Sequence, residues 1–346
     1  MVSLRYRLAY DAKLLGRVFR IFARVVFQLL RRKAREHGIP KGQYGAVAFV
    51  QRFGSSVNLH THAHMLVLDG IYAALEGEAP RFYPLRAPEE RDVAWVAAEV
   101  AARTGGLLER LGQSGADGEQ DRLSRDDPWL SGLYAASVSG RVATGTRAGR
   151  RVQTAGVERN PEEESSASGP RCANVAGFSV HANVAIREHR RDALERLCRY
   201  MCRPPLAIDR LQRLQDGRLT YRMKTPWRDG TTHVVFSPSE FLEKLAVLVP
   251  APRAHLVTFH GVLAPAAKWR PQIVPAIDQS PETVADGETG CAHEQEPEKD
   301  KPRRRRNYTW AELMKRVCRG HGSQLNFAHP ATTRTGRKGS CSYLGL

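Results

Sequence analysis

Three histidines, His60, His62 and His64, occupy alternate positions in the stretch from Val57 to Gly70, so three of the chain's twelve histidines fall within five residues. The stretch alternates, carries bulky apolar residues and closes on Asp69-Gly70, which reads as a strand ending in a turn. In a strand, successive side chains point to opposite faces. One face then holds His60, His62, His64, Leu66 and Leu68. The other holds Leu59, Thr61, Ala63, Met65 and Val67 and is apolar enough to pack on helices. Burying a row of imidazoles costs free energy unless each finds a partner. A metal ion is one such partner, because neutral imidazole offers a lone pair and same-face neighbours converge. The competing reading is a solvated edge strand with incidental histidines.

A second candidate is Tyr200, near the C-terminal end of a helical pattern and flanked by Arg196, Arg199 and Arg203. Such a tyrosine could attack a phosphodiester, with guanidinium groups stabilising the developing charge. A phenol ordinarily loses its proton near pH ~10, so attack at neutral pH needs help, and a metal held by His62 and His64 would supply it. The plainer reading is an amphipathic tyrosine with a buried ring and a wet hydroxyl.

Several elements must position these groups. Residues 9–37 show apolar residues at helical spacing, with Arg17, Arg20, Arg24 and Arg31 as a basic stripe that could meet phosphates or simply face solvent. Residues 46–53 form a strand, and Gly54-Ser55-Ser56 links it to the histidine strand. Residues 72–88 suggest a strand and a loop, and 89–111 a helix interrupted at Thr104-Gly105-Gly106. From 112 to 170 the composition turns to Gly, Ser, charged residues and one ordered patch at 128–138, which reads as a mobile insert. Its Arg147–Arg151 run suits either a DNA-facing or an ordinary surface loop. Residues 172–186 form a strand carrying His181, and 187–201 the tyrosine helix, stopped by Arg203-Pro204-Pro205. Residues 219–225 and 231–236 make a hairpin. Ser237-Pro238-Ser239-Glu240 is a capping box that opens a helix to Val249, and a last strand surrounds Val257.

Two other chemistries that use a His-x-His strand do not fit. A binuclear hydrolase pattern needs Asp-His where this chain has His64-Met65. An amidohydrolase barrel needs an eightfold β/α rhythm that is missing downstream. The remaining type is the His-hydrophobic-His site of enzymes that nick and join single strands. Phe49-Val50-Gln51-Arg52-Phe53-Gly54-Ser55, Asn58-Leu59 and the strand to Asp69-Gly70 resemble the rolling-circle transposases of insertion sequences, the insertion-sequence ninety-one family. The resemblance continues at Gly177-Phe178-Ser179-Val180-His181-Ala182, at Leu197-Cys198-Arg199-Tyr200 through Arg203-Pro204-Pro205-Leu206-Ala207, and at Pro226-Trp227-Arg228-Asp229-Gly230-Thr231-Thr232-His233. It reaches His260-Gly261-Val262-Leu263-Ala264-Pro265 and a short piece at Tyr308-Thr309-Trp310-Ala311-Glu312-Leu313.

The resemblance implies an α+β fold, a central antiparallel sheet with flanking helices. It implies Tyr200 as the nucleophile of a single-tyrosine variant, since Arg196 stands where many relatives have a second tyrosine. It also implies magnesium or manganese at His62 and His64, with His60, Gln51 and His181 all open as the third ligand; imidazoles alone would suit zinc, iron or copper equally. The partner would be single-stranded DNA at element ends and target. A non-catalytic DNA-binding remnant and a small-molecule hydrolase are the other readings, the latter disfavoured by charge.

The 53 Lys and Arg against 36 Asp and Glu leave a net charge of +17, which points to a polyanion, with nucleic acid ahead of an anionic membrane surface. An arginine every three or four residues keeps the first helix from being a membrane span. Six cysteines without a CxxC pair suggest a reducing cytoplasm. The expected organisation is a catalytic domain over 1–278, an acidic then basic linker over 279–306 with Arg303–Arg306, and a flexible, divergent tail over 307–346. Relatives carry cysteine-rich zinc-binding segments before and after the matched part. Because this chain shows neither, it is expected to nick DNA weakly without completing transposition alone.

Overall fold

The structure is a computed structural model that describes residues 2–112, 122–156, 170–227, 229–250, 254–274 and 341–345. The described chain up to Arg270, together with 341–345, belongs to one compact unit. Residues 271–333 fall in a second unit, of which only 271–274 are described. The expected linker, the Arg303–Arg306 cluster and the 308–313 motif lie outside the described residues.

The fold is α+β with antiparallel sheets. Its central sheet has six strands: β1 (Gly45–Phe53), β2 (Leu59–Leu68), β6 (Cys172–Val175), β7 (Phe178–Ile186), β11 (Val257–Gly261) and β12 (Cys341–Gly345). They lie in the order β11-β1-β2-β12-β7-β6, each pair antiparallel. The expected single strand over 172–186 is a hairpin, β6 and β7, turned at Ala176 and Gly177, both at positive φ. Alanine is no usual left-handed residue, which is why the turn is silent in the sequence. The end of the expected tail, Cys341–Gly345, forms β12 between β2 and β7. It supplies hydrogen-bond partners to two strands that would otherwise present open edges.

The apolar face of the histidine strand packs on helices, as its alternation predicts. Ala63, Met65 and Val67 join Phe22, Val25 and Val26 of α2 (Ala12–Glu36) and Val93, Val96 and Val100 of α3 (Glu90–Arg110) in one buried cluster. The predicted first helix is two helices. Asp11 caps α2 by accepting from the amides of Lys13 and Leu14, which separates it from α1 (Val2–Tyr10). The stripe Arg17, Arg20, Arg24 and Arg31 lies exposed on α2. Helix α3 runs through Thr104-Gly105-Gly106 without a break, with Thr104 wholly buried. Burial of the surrounding helix outweighs the roughly 1 kcal/mol that each glycine costs in a helix interior.

A second core forms where α1, α5 (Pro128–Val138) and α7 (Pro238–Leu248) meet the start of β2 and a four-stranded sheet. That sheet comprises β5 (Gln153–Gly156), β10 (Thr231–Phe236), β9 (Leu219–Arg222) and β8 (Leu211–Arg213), in that order. Order in the expected insert extends beyond the patch at 128–138. A short α4 (Arg122–Asp126) precedes it, and residues 140–156 follow and supply β5. Arg147 pairs with the buried Glu240 at 2.8 Å and donates to the carbonyl of Arg151, so it serves the fold and is not free to face DNA. The capping box at Ser237 and Glu240 opens α7 as expected. A hairpin of β3 (Gly70–Ala73) and β4 (Arg81–Pro84) follows the histidine strand.

Helices α2 and α3 are tied by a buried carboxylate. Asp92 receives Lys33 Nζ at 2.6 Å and Arg32 at 3.1 Å, and also accepts from the Glu89 amide in a capping box. Removing one partner of such a pair strands the other charge. Asp92→Ala is expected to lower unfolding free energy by roughly 3–5 kcal/mol in a denaturant titration. A loss under about 1 kcal/mol would show that the pair does not hold the helices together.

Candidate active site

The face of the central sheet opposite α2 and α3 carries the histidines. His62 and Gln51 are directly paired across β1 and β2, as are His64 and Phe49. One residue further the register breaks: Gln51 pairs with His62 but Phe53 pairs with Leu59. Two residues of β2, His60 and Thr61, therefore oppose the single Arg52, which makes a β-bulge beside the site. Arg52 is held from behind by the carbonyls of Ala9 at 2.7 Å and Val247 at 3.3 Å. The bulge sets His60 apart from strict alternation. It is exposed, with its ring edge-on to His62 at 5.2 Å, whereas His62 and His64 lie 4.8 Å apart and His64 is buried. Among the described residues no three His, Cys, Asp or Glu side chains gather to hold a metal. A tight three-imidazole centre is thus not assembled.

Gln51 completes the pair instead. Its Oε1 lies 3.2 Å from His64 Nε2, and its Nε2–H donates to the carbonyls of Met201 at 2.7 Å and Tyr200 at 3.3 Å. Those carbonyls belong to the last turn of α6 (Arg191–Met201), where helix geometry leaves C=O groups without partners. This bond brings Tyr200 to the histidines. Its ring sits 5.7 Å from that of His64, although 136 residues separate the two in sequence. Arg203 lies over the Tyr200 ring at 4.5 Å and Lys224 over it at 4.8 Å. Both contacts have the geometry of cation–π interactions. Arg203 also reaches the Phe53 ring, and its Nε is buried without a hydrogen-bond partner among the described residues.

Of the three arginines flanking Tyr200, only Arg203 belongs to the site. Arg196 and Arg199 turn outward to Asp192 and Glu195 at 2.9 and 2.6 Å. These are helix i,i+4 partners already visible in the sequence. His181 lies elsewhere on the same face. β12 runs between β7 and β2, and the imidazole is engaged by Cys172 Sγ and Ser179 Oγ, each at 2.9 Å. Sequence reasoning missed Lys224, which carries no motif of its own, and the bridging role of Gln51.

The imidazoles are held neutral. Burial, then the His62 and Arg203 charges, push His64 down to about 3. His60, although exposed as a residue, is pushed to about 4 by desolvation of its ring and then by the His62 and Arg5 charges. His62 is lowered chiefly by burial, against a hydrogen bond that its Nδ1 donates to the His60 carbonyl, which works the other way. Unprotonated rings at neutral pH keep their lone pairs available, and with the Gln51 amide oxygen they form a donor set suited to a divalent cation.

A family model described as "Putative transposase" matches residues 45–270, about two thirds of the chain, from β1 through β11. The chain therefore belongs to this transposase family, a class of DNA-processing enzymes. The match contains all of the groups brought together here, His62, His64, Gln51, Tyr200, Arg203 and Lys224. No curated protein and no solved structure matches the chain. Among the described residues no helix is long and apolar enough to cross a membrane.

The depressed histidines make stability depend on pH in a stated direction. Below about pH 6.5 the unfolded chain takes up protons that folded His64 refuses until about pH 3, so stability falls as pH drops through that window. With a chelator present, urea midpoints should decline from neutral pH toward pH ~4, and less steeply in His64→Gln, whose amide takes up no proton. Equal slopes for both proteins would remove burial of a neutral His64 as the cause.

Proposed function

We propose that this transposase nicks and rejoins single-stranded DNA through a covalent bond to Tyr200. The observation that carries the reading is the placement of the Tyr200 ring against His64 by the amide of Gln51. In the reaction, the Tyr200 oxygen attacks the phosphorus as its hydroxyl proton is given up. The bond to the 3′ oxygen breaks, that oxygen leaves with a proton, and the 5′ phosphate remains on the tyrosine. The reverse attack by a 3′ hydroxyl rejoins a strand and frees the phenol. The phosphodiester bond energy is kept throughout, so no nucleotide cofactor is required.

His62, His64 and the Gln51 oxygen would hold magnesium or manganese, with His60 at the outer, bulged position. Such an ion supplies Lewis-acid polarisation of the attacked phosphate. The other contributions come from the chain. Arg203 offers its unpartnered, buried Nε–H to a phosphate oxygen, a donor whose desolvation cost is recovered when substrate binds. Lys224 adds a second positive charge over the phenol ring. Gln51 fixes the end of α6, so the nucleophile is aimed before substrate arrives.

A small-molecule hydrolase would need neither the tyrosine nor two cations around it, and the net charge of +17 argues for a polyanionic substrate.

Incubation with labelled single-stranded DNA and manganese is expected to give a DNA adduct that survives denaturant and is lost in Tyr200→Phe. DNA affinity should be retained in that variant, since only a hydroxyl is removed. His62→Ala and His64→Ala should each lose both the adduct and manganese binding measured by calorimetry. Adducts persisting in Tyr200→Phe would assign the attack to another residue.

A further inference from the structure

Beside the tyrosine, past Lys224, the surface opens into a cleft of about 460 Å³ lined by Arg210, Arg222, Lys224, Pro226, Thr232 and His233 among others. Its cations are arranged by the second sheet. Arg222 on β9 is paired directly with His233 on β10, and Arg210 immediately precedes Leu211, which pairs with Tyr221. Cross-strand neighbours sit only ~5 Å apart, so Arg222 and His233 stand side by side, and Arg210, at the end of the short helical turn that leads into β8, joins them along the cleft. The opposite face of the same strands is buried: Tyr221, Met223, Val234 and Phe236 lie in the second core. The row is therefore held on a rigid platform.

Two features distinguish this cleft from an ordinary solvated surface. Arg210 and Arg222 have no carboxylate partner among the described residues, whereas Arg196, Arg199 and Arg218 each pair with a nearby acid. Next to Pro226 stands Trp227, 39% exposed, at the mouth of the turn between β9 and β10. Its amide donates to the Thr231 carbonyl and its carbonyl accepts from Gly230, so the backbone is fixed while the indole stays open to solvent. A large aromatic left in water beside unpaired cations is what an unpaired nucleic-acid strand requires: charge for phosphates and a face on which a base can stack.

The geometry points to a single-strand track. DNA leaving the attacked phosphate passes Lys224, lays its backbone along Arg222 and Arg210, and stacks an unpaired base on Trp227. Lys224 joins the two sites, since its ammonium lies over the Tyr200 ring and its side chain lines the cleft. Duplex DNA cannot use the indole in this way, because its bases are already stacked on each other. The track therefore selects single strands. The assignment rests on the nicking reading for the place of the attacked phosphate, but its test does not require nicking.

Binding of a short labelled oligonucleotide is measured by fluorescence anisotropy in metal-free buffer, as a single strand and as a duplex. Trp227→Ala is expected to weaken single-strand binding roughly tenfold and leave duplex binding unchanged, while Trp227→Phe stays close to wild type. Trp129→Ala removes a more exposed tryptophan, 66% open to solvent, which sits on α5 and, unlike Trp227, adjoins no lining residue in the chain; it should change nothing. Arg210→Gln with Arg222→Gln should flatten the salt dependence of single-strand affinity. Unchanged affinity in Trp227→Ala, equal losses on single strand and duplex, or an unaltered salt slope in the double variant would each overturn the track. If the wild-type protein forms no adduct and Trp227→Ala still weakens single-strand binding while sparing duplex binding, the track stands and the nicking reading falls. If adducts form and Trp227→Ala binds as wild type, the reverse holds.

Discussion

One buried amide ties the candidate site together. Gln51 is 3% exposed, so each of its polar atoms must find a partner inside the protein. Its oxygen faces His64 and its nitrogen faces the end of α6, two places that chain connectivity alone would never bring together. The carbonyls it meets lie in the last turn of the helix; that of Tyr200 also accepts from the Arg203 amide. The bond therefore serves three needs at once: it satisfies the amide, it caps the helix, and it sets the tyrosine beside the histidine strand. The β-bulge at Arg52 follows directly after Gln51, with Arg52 anchored to Ala9 and Val247 behind it.

The electrostatics follow from that arrangement. Uncharged imidazoles and two nearby cations make a site that is positive without protonated histidine, because burial and Arg203 keep protons off the rings. The positive charge beside the tyrosine comes from Arg203 and Lys224. The imidazoles stay uncharged. On the proposed reading, an ion and a phosphate would thus be met by different residues.

Much of this was legible from local pattern. The alternation around His62 and His64 identified the strand and the face packed on α2 and α3, and Ser237 to Glu240 announced α7. Tyr200 was singled out through its resemblance to rolling-circle transposases, and the structure sets it by His64. What the sequence left hidden is non-local or breaks a local rule. Gln51 was one of three possible third ligands, and nothing in its neighbourhood foretold a bond to a helix about 150 residues away. Strict alternation placed His60 in the row, and its ring does lie 5.2 Å from that of His62; the bulge at its position was hidden, because bulges depend on the partner strand. Lys224 gains meaning only when the second sheet is brought up to α6. Arg196 and Arg199 were misplaced for the opposite reason: their carboxylate partners are local, and the i,i+4 spacing to Asp192 and Glu195 was already there to be read.

The coupling of the two halves of the site through Gln51 is tested most directly by single-turnover adduct formation in Gln51→Glu at saturating manganese, with manganese affinity measured alongside. A carboxylate keeps an oxygen for the ion but loses the N–H groups that hold the carbonyls of Tyr200 and Met201. The expected result is manganese affinity at or above the wild-type level together with an adduct rate lowered by about tenfold or more, as for a mispositioned nucleophile. A Gln51→Glu protein that forms adducts at the wild-type rate would contradict the account, because Tyr200 would then be aimed without the amide.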